Sequence, residues 1–176
     1  MRRATMANAE YALTMARYNA WQNRNLLRAT AQLPPEGRAL DRGAFFGSIE
    51  ATFYHLLWAD RMWMSRFKGT RPPEGGIPGS TRFDGSWDEF CGQRAAMDRE
   101  VLDWAGQLDA AWFAEDLVWF SGALGREISR PKTVIVMHLF NHQTHHRGQI
   151  HAMLTAAGVR PDDTDLAFMP EHPEIL

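Results

Sequence analysis

Large apolar side chains recur at steps of three and four along most of this 176-residue chain, which is the spacing of a buried helical face. Residues 7–33 carry Tyr11, Met15, Tyr18, Trp21, Gln22 and Asn25 in that rhythm, then meet Pro34 and Pro35, which cannot continue the helix. A second helix is predicted from Ser48, a good N-cap, to Lys68, with Gly69 as its stop. It is crowded with Phe53, Leu56, Leu57, Trp58, Met62, Trp63, Met64 and Phe67, so most of its surface should be buried. Residues 41–46 extend this helix backwards in the same reading. A loop with three Pro and three Gly follows over residues 71–80.

Ser86 and Glu89 stand three apart, as in a capping box, and open a third helix over residues 86–108. The runs 117–120 and 126–129 flank a Ser-Gly-Ala-Leu-Gly stretch and predict a small β-hairpin. Pro131 suits the first turn of a fourth helix, which runs to about residue 157 and stops at Gly158. The remainder, with Pro161, Pro170 and Pro173, reads as a tail from about residue 159 packed on the outside. Four long helices and one hairpin predict an all-α four-helix bundle occupying the whole chain as one domain.

Composition adds little to that outline. A net charge of −2 gives no basic face for nucleic acid. No window approaches a membrane span, and no signal peptide is read at the N-terminus despite Arg2 and Arg3, so a soluble cytoplasmic protein is expected. The single cysteine, Cys91, offers neither an intramolecular disulfide nor a thiolate metal site, and it reads as inert. Seven tryptophans imply a thick aromatic core, a lined pocket, or both.

The chemistry concentrates in the fourth helix. His142, His145 and His146 fall within ten residues, and His138 and His151 flank them. At roughly 100° per residue, His142 and His146 straddle the direction marked by Ile135 and Met153, with His138 and His145 to one side and His151 nearly opposite. Histidines four apart on a helix can share a metal ion. Two ligands hold one weakly, and His55, in the middle of the apolar second helix, is the candidate third. An unpaired buried imidazole is costly, and a shared metal would satisfy all three. The spacing alone leaves a metal site and a polar seam both open. The zinc-peptidase pattern HExxH is absent, because Gln143 occupies its Glu position.

The stretch from Phe140 to Gln149, Phe-Asn-His-Gln-Thr-His-His-Arg-Gly-Gln, resembles the last-helix motif of the DinB (damage-inducible, YfiT-like) metalloenzyme superfamily. Tyr18-Asn19-Ala20-Trp21-Gln22-Asn23 is similar to its first-helix motif. Ser48-Ile49 with His55-Leu56-Leu57-Trp58-Ala59-Asp60 is similar to its second. The resemblance implies a four-helix bundle with a long crossover, a homodimer, and one divalent metal ion, zinc or nickel. Carried over by residue, its ligands are His55, His142 and His146, with water at an open position. It also implies thiol-dependent transferase or isomerase chemistry using mycothiol, bacillithiol or glutathione.

The expected function is therefore a metal-dependent transferase that activates a small thiol for attack on an electrophile. The alternatives are a metal-dependent hydrolase, or a metal-binding stress or interaction protein without turnover, whose closed site would take a fourth ligand such as His138. No catalytic acid or base is singled out. Gln149, His138, His145, Asn141 and Asn19 are candidates for orienting the ligand rings or lining the pocket, and Gln149 leads because it shares the histidine side of its helix. Asp60 lies roughly 140° round the wheel from His55, which suits a helix-to-helix bridge. Asn19 and Asn23 also suit bridging, and Arg147 a structural hydrogen-bond donor. His138 is read as a buried group beside the ligands.

Overall fold

The computed structural model describes residues 7–122 and 124–171. Arg2, Arg3 and Pro173 lie outside them. The chain is mostly helical: α1 (Ala9–Thr30), α2 (Pro35–Ala39), α3 (Ile49–Lys68), α4 (Gly76–Gly79), α5 (Trp87–Gly106) and α6 (Lys132–Ala156). Strands β1 (Asp116–Ser121) and β2 (Arg126–Pro131) form an antiparallel hairpin in which Asp116 pairs with Pro131 and Ser121 with Arg126. The long helix α1 packs along α5 and α6, and α3 packs along the same two. Among the described residues no helix is long and apolar enough to cross a membrane.

Local chemistry sets the helix ends. Asn8 Oδ1 accepts from the Tyr11 amide at 2.8 Å and opens α1. Ser48 Oγ accepts from the Ala51 amide at 3.1 Å and opens α3. The capping box at α5 is complete, with the Ser86 amide donating to Glu89 Oε2 at 2.7 Å and the Glu89 amide to Ser86 Oγ at 3.2 Å. Gly69 closes α3 in the left-handed region at φ 66°, a conformation that strains any residue with a Cβ.

One expectation holds and one fails between α1 and α3. The first helix ends before Pro34 and Pro35, and Pro35 then starts the short α2 as a first-turn proline. Residues 41–46 do not extend α3 backwards. They form a tight turn in which Asp41 Oδ1 accepts from the Gly43 amide at 2.9 Å and the Arg42 amide donates to the Gly47 carbonyl at 2.9 Å. Gly43 and Gly47 both take positive φ, which a helix cannot hold. The loop 71–80 likewise contains α4.

The apolar core is continuous from α1 to α6 and includes Ile49, Phe53, Leu56, Leu57, Phe90, Val101, Leu139, Phe140, Ile150 and Leu154. Each such side chain contributes about 1.5–3 kcal/mol when fully buried. Phe67 stacks on Trp104 at 4.9 Å, and Trp112 meets Trp104 edge-on at 5.6 Å. Tryptophan thus serves the core, while Trp58 lines a cavity.

A polar seam runs through the centre of this core. Arg94, fully buried, reaches Asp60 Oδ2 at 2.6 Å and Asp98 Oδ1 at 2.9 Å. Asn23 and Asn19 donate to Asp98 at 2.8 and 3.5 Å. Gln143 donates to Asp60, and Arg147 donates to Asn19, to Gln143 at 3.4 Å and to Thr144 at 3.3 Å. All four long helices contribute, and two arginines balance two aspartates. Burial pushes the Asp98 carboxyl up to about 6, against the lowering pull of Arg94. Burial lowers Arg147 to about 10.

This seam corrects the orientation expected for α6. The most buried line is Val136, Leu139, Phe140, Gln143, Arg147, Ile150 and Leu154. The core therefore lies beyond His142 and His146 rather than between them. Polar Gln143 and Arg147 take core positions because partners await them there.

Candidate metal centre

The turn of α6 above Gln143 faces the middle of α3, and that juxtaposition gathers three imidazoles. One ring nitrogen from each of His55, His142 and His146 lies within 4.8 Å of the others. His55 Nε2 and His142 Nε2 are 3.2 Å apart. His55 and His146 are buried and His142 is half-buried. Among the described residues no fourth histidine, cysteine or carboxylate joins the group.

The outer nitrogens fix which atoms remain free. His146 Nδ1 lies 2.8 Å from Gln149 Oε1. An amide oxygen only accepts, so Nδ1 carries the proton and Nε2 keeps its lone pair. His55 Nδ1 lies 2.8 Å from Ser80 Oγ, and Ser80 is fully buried. His142 Nδ1 is buried with no hydrogen-bond partner. If His142 carries its proton there, a buried N–H donor is left without a partner, and where His55 is likewise protonated on Nδ1 towards Ser80 two Nε2 lone pairs confront one another across 3.2 Å. If the proton sits on Nε2, an acceptor is left orphaned. Either state costs about 1–3 kcal/mol, and a cation shared by the three nitrogens relieves the lone-pair conflict. The donor set therefore fits a divalent ion that favours imidazole.

Electrostatics keep these rings neutral, the form that binds metal. Burial lowers His55 to about 4, with His146 adding to the effect. Burial and the neighbouring histidines lower His142 to about 3. His146 is lowered by burial, partly offset by its bond to Gln149.

Apolar groups close the site from outside. The Phe46 ring lies 4.1 Å from His55 and 5.2 Å from His146. It reaches them because the turn at Gly47 points it back onto α3. The Trp58 ring stacks beside His55 at 6.1 Å.

The other predicted residues scatter. Gln149 stands at the site. His145 is exposed, 4.8 Å from the His146 ring and 3.4 Å from Gln149 Nε2. His138 is exposed rather than buried. It packs edge-on against Trp63 at 5.1 Å, with the His142 ring at 5.8 Å. Asn141 is exposed and holds no ring. Asn19 belongs to the buried seam with Asp98 and Arg147. Asp60 and Asn23 bridge helices there, as expected, Asp60 from its wheel position. Ser80 and Phe46 were not anticipated. Ser80 is 25 residues from His55 in a loop, and no local signal marks it.

A model of the DinB family matches residues 4–174, nearly the whole chain. No curated protein matches the chain.

Proposed function

The chain belongs to the DinB family, and from that premise we propose that it is a metal-dependent transferase that activates a low-molecular-weight thiol for attack on an electrophile. The observation that carries this reading is the convergence of His55, His142 and His146 with three ring nitrogens inside 4.8 Å and, among the described residues, no fourth histidine, cysteine or carboxylate. A structural metal site is normally closed by four protein ligands, whereas three leave room for a reactant. In this reading the four long helices form the family's bundle, with the 107–131 connection as its crossover, and the chain pairs with a second copy.

His55, His142 and His146 would hold a zinc or nickel ion. Such an ion supplies Lewis acidity that favours a thiolate at neutral pH. Gln149 and Ser80 hold the His146 and His55 rings in place through their outer nitrogens. Phe46 and Trp58 limit water on two sides. His145 stands where a proton could pass to solvent.

Metal content of the untagged protein, measured by mass spectrometry beside a His146→Ala variant, tests the reading. Near-stoichiometric zinc or nickel in the parent, lost in the variant, is the expected result. Neither protein holding metal after incubation with both ions would end it. Turnover is then read by screening small thiols against electrophiles, and second-copy pairing by light scattering.

A further inference from the structure

Four residues line one edge of α3 at helical spacing: His55, Trp58, Met62 and Arg66. The first belongs to the histidine group. The other three line a cavity of about 390 Å³, closed on its far side by Ile77 and Pro78 of α4 and by Ser121 at the hairpin turn. Trp58 is the shared wall, since its ring faces His55 on one side.

Arg66 sits at the other end. Its guanidinium lies 4.4 Å over the Trp63 ring and 5.4 Å from that of Trp119. Among the described residues no carboxylate lies within ion-pair reach of Arg66, and it makes no hydrogen bond. The other half-buried arginine of comparable position, Arg38, has Glu50 at 3.1 Å. Burial without an acid lowers the Arg66 guanidinium below its ordinary value. A guanidinium held against two indole rings, with no hydrogen bond made among the described residues, is free to take a carboxylate bidentately.

We propose that this cavity seats the electrophilic substrate and selects an organic carboxylate, with its apolar body against Trp58, Met62 and Ile77 and its anionic head on Arg66. This rests on the thiol-transfer reading for the substrate's role, though not for its binding. The lining is too apolar for the thiol partner, whose peptide or sugar groups need hydrogen bonds. Arg66 lies eleven residues beyond His55, about 16 Å along the helix axis, and its side chain leans back towards His55. A substrate held on Arg66 therefore reaches the histidines only past the Trp58 ring that lies beside His55.

Binding of 4-phenylbutyrate and of its uncharged analogue 4-phenylbutan-1-ol, measured by calorimetry on metal-free and on zinc-loaded protein, tests the proposal. The carboxylate should bind roughly 10- to 100-fold tighter in both forms, the range of one charge-assisted contact. Arg66→Gln should erase that preference and Arg66→Lys should keep most of it. Met62→Glu supplies an acid one turn before Arg66, without disturbing its stacking, and should abolish the preference even if Arg66→Gln does not fold. Equal binding of the two probes by the parent overturns the proposal. So does a preference that survives in Arg66→Gln or appears only with zinc, which would put the carboxylate on the metal. Failure to load zinc at all would instead defeat the metal reading, leaving the metal-free comparison intact.

Discussion

Replacing Arg94 by methionine tests whether the seam between the four long helices is held by its own charge balance. Arg94 is fully buried and bridges Asp60 at 2.6 Å and Asp98 at 2.9 Å. Methionine keeps much of the apolar stem and removes the cation. Two carboxylates would then remain in the interior, with only amide donors from Asn19, Asn23 and Gln143. Removing one partner of a buried pair costs about 3–5 kcal/mol. That is a third or more of the ~5–15 kcal/mol that holds a typical domain together. The cost depends on pH, and its sign follows from Asp98. Burial raises its carboxyl from an ordinary 3.8 to about 6 even with Arg94 present. A carboxyl raised in the folded state contributes stability that is complete below its ordinary value and is lost as pH rises through the folded value. Without Arg94 the carboxyl rises further, so the variant suffers most at pH 7. Near pH 5, Asp98 carries a proton and the gap narrows. Urea unfolding followed by circular dichroism at both pH values reads this directly. The expected loss is about 3–5 kcal/mol at pH 7 and clearly less at pH 5. A loss under about 1 kcal/mol at pH 7, or equal losses at the two pH values, would refute the reasoning.

Gln149→Ala removes the acceptor that holds His146 Nδ1, and zinc affinity by chelator competition should fall roughly 10- to 100-fold; unchanged affinity would show that Gln149 does not support the ring. Ser48→Ala removes the cap on the Ala51 amide at the start of the helix carrying His55. It should cost about 1 kcal/mol in urea unfolding, and a neutral result would mean water replaces the cap. Burial pushes the Cys91 thiol up to about 11, so Ellman's reagent at pH 7.5 should react far more slowly with folded than with unfolded protein, and equal rates would contradict the burial of its sulfur.

The helices were largely legible because their signals are local. Ser48, Gly69 and Ser86 with Glu89 mark ends within one turn of the residues they cap. The stretch around residues 41–47 misled because apolar Phe45 and Phe46 continue the rhythm of α3. The glycines at 43 and 47 outweigh that rhythm through their positive φ. The facing of α6 misled for a different cause. Ile135 and Met153 are buried, as periodicity suggested, yet the centre of the buried face holds Gln143 and Arg147. Polar residues read as outward-facing whenever their partners are unseen, and these partners come from α1 and α3.

The sequence by itself determined where the chain turns helical, which helix carries the histidine stripe, and that His142 and His146 stand one turn apart. Those follow from spacings of a few residues, which backbone geometry translates directly into a face. Only the tertiary structure decided that His55 Nε2 comes within 3.2 Å of His142. It alone placed Ser80 and Phe46 on the imidazoles, left His138 and Asn141 at the surface, and set Arg66 at the end of an apolar cavity with no acid beside it among the described residues. Each of these depends on contacts between segments 10 to 100 residues apart. Such contacts are settled by how whole helices pack against one another, and no local pattern encodes them.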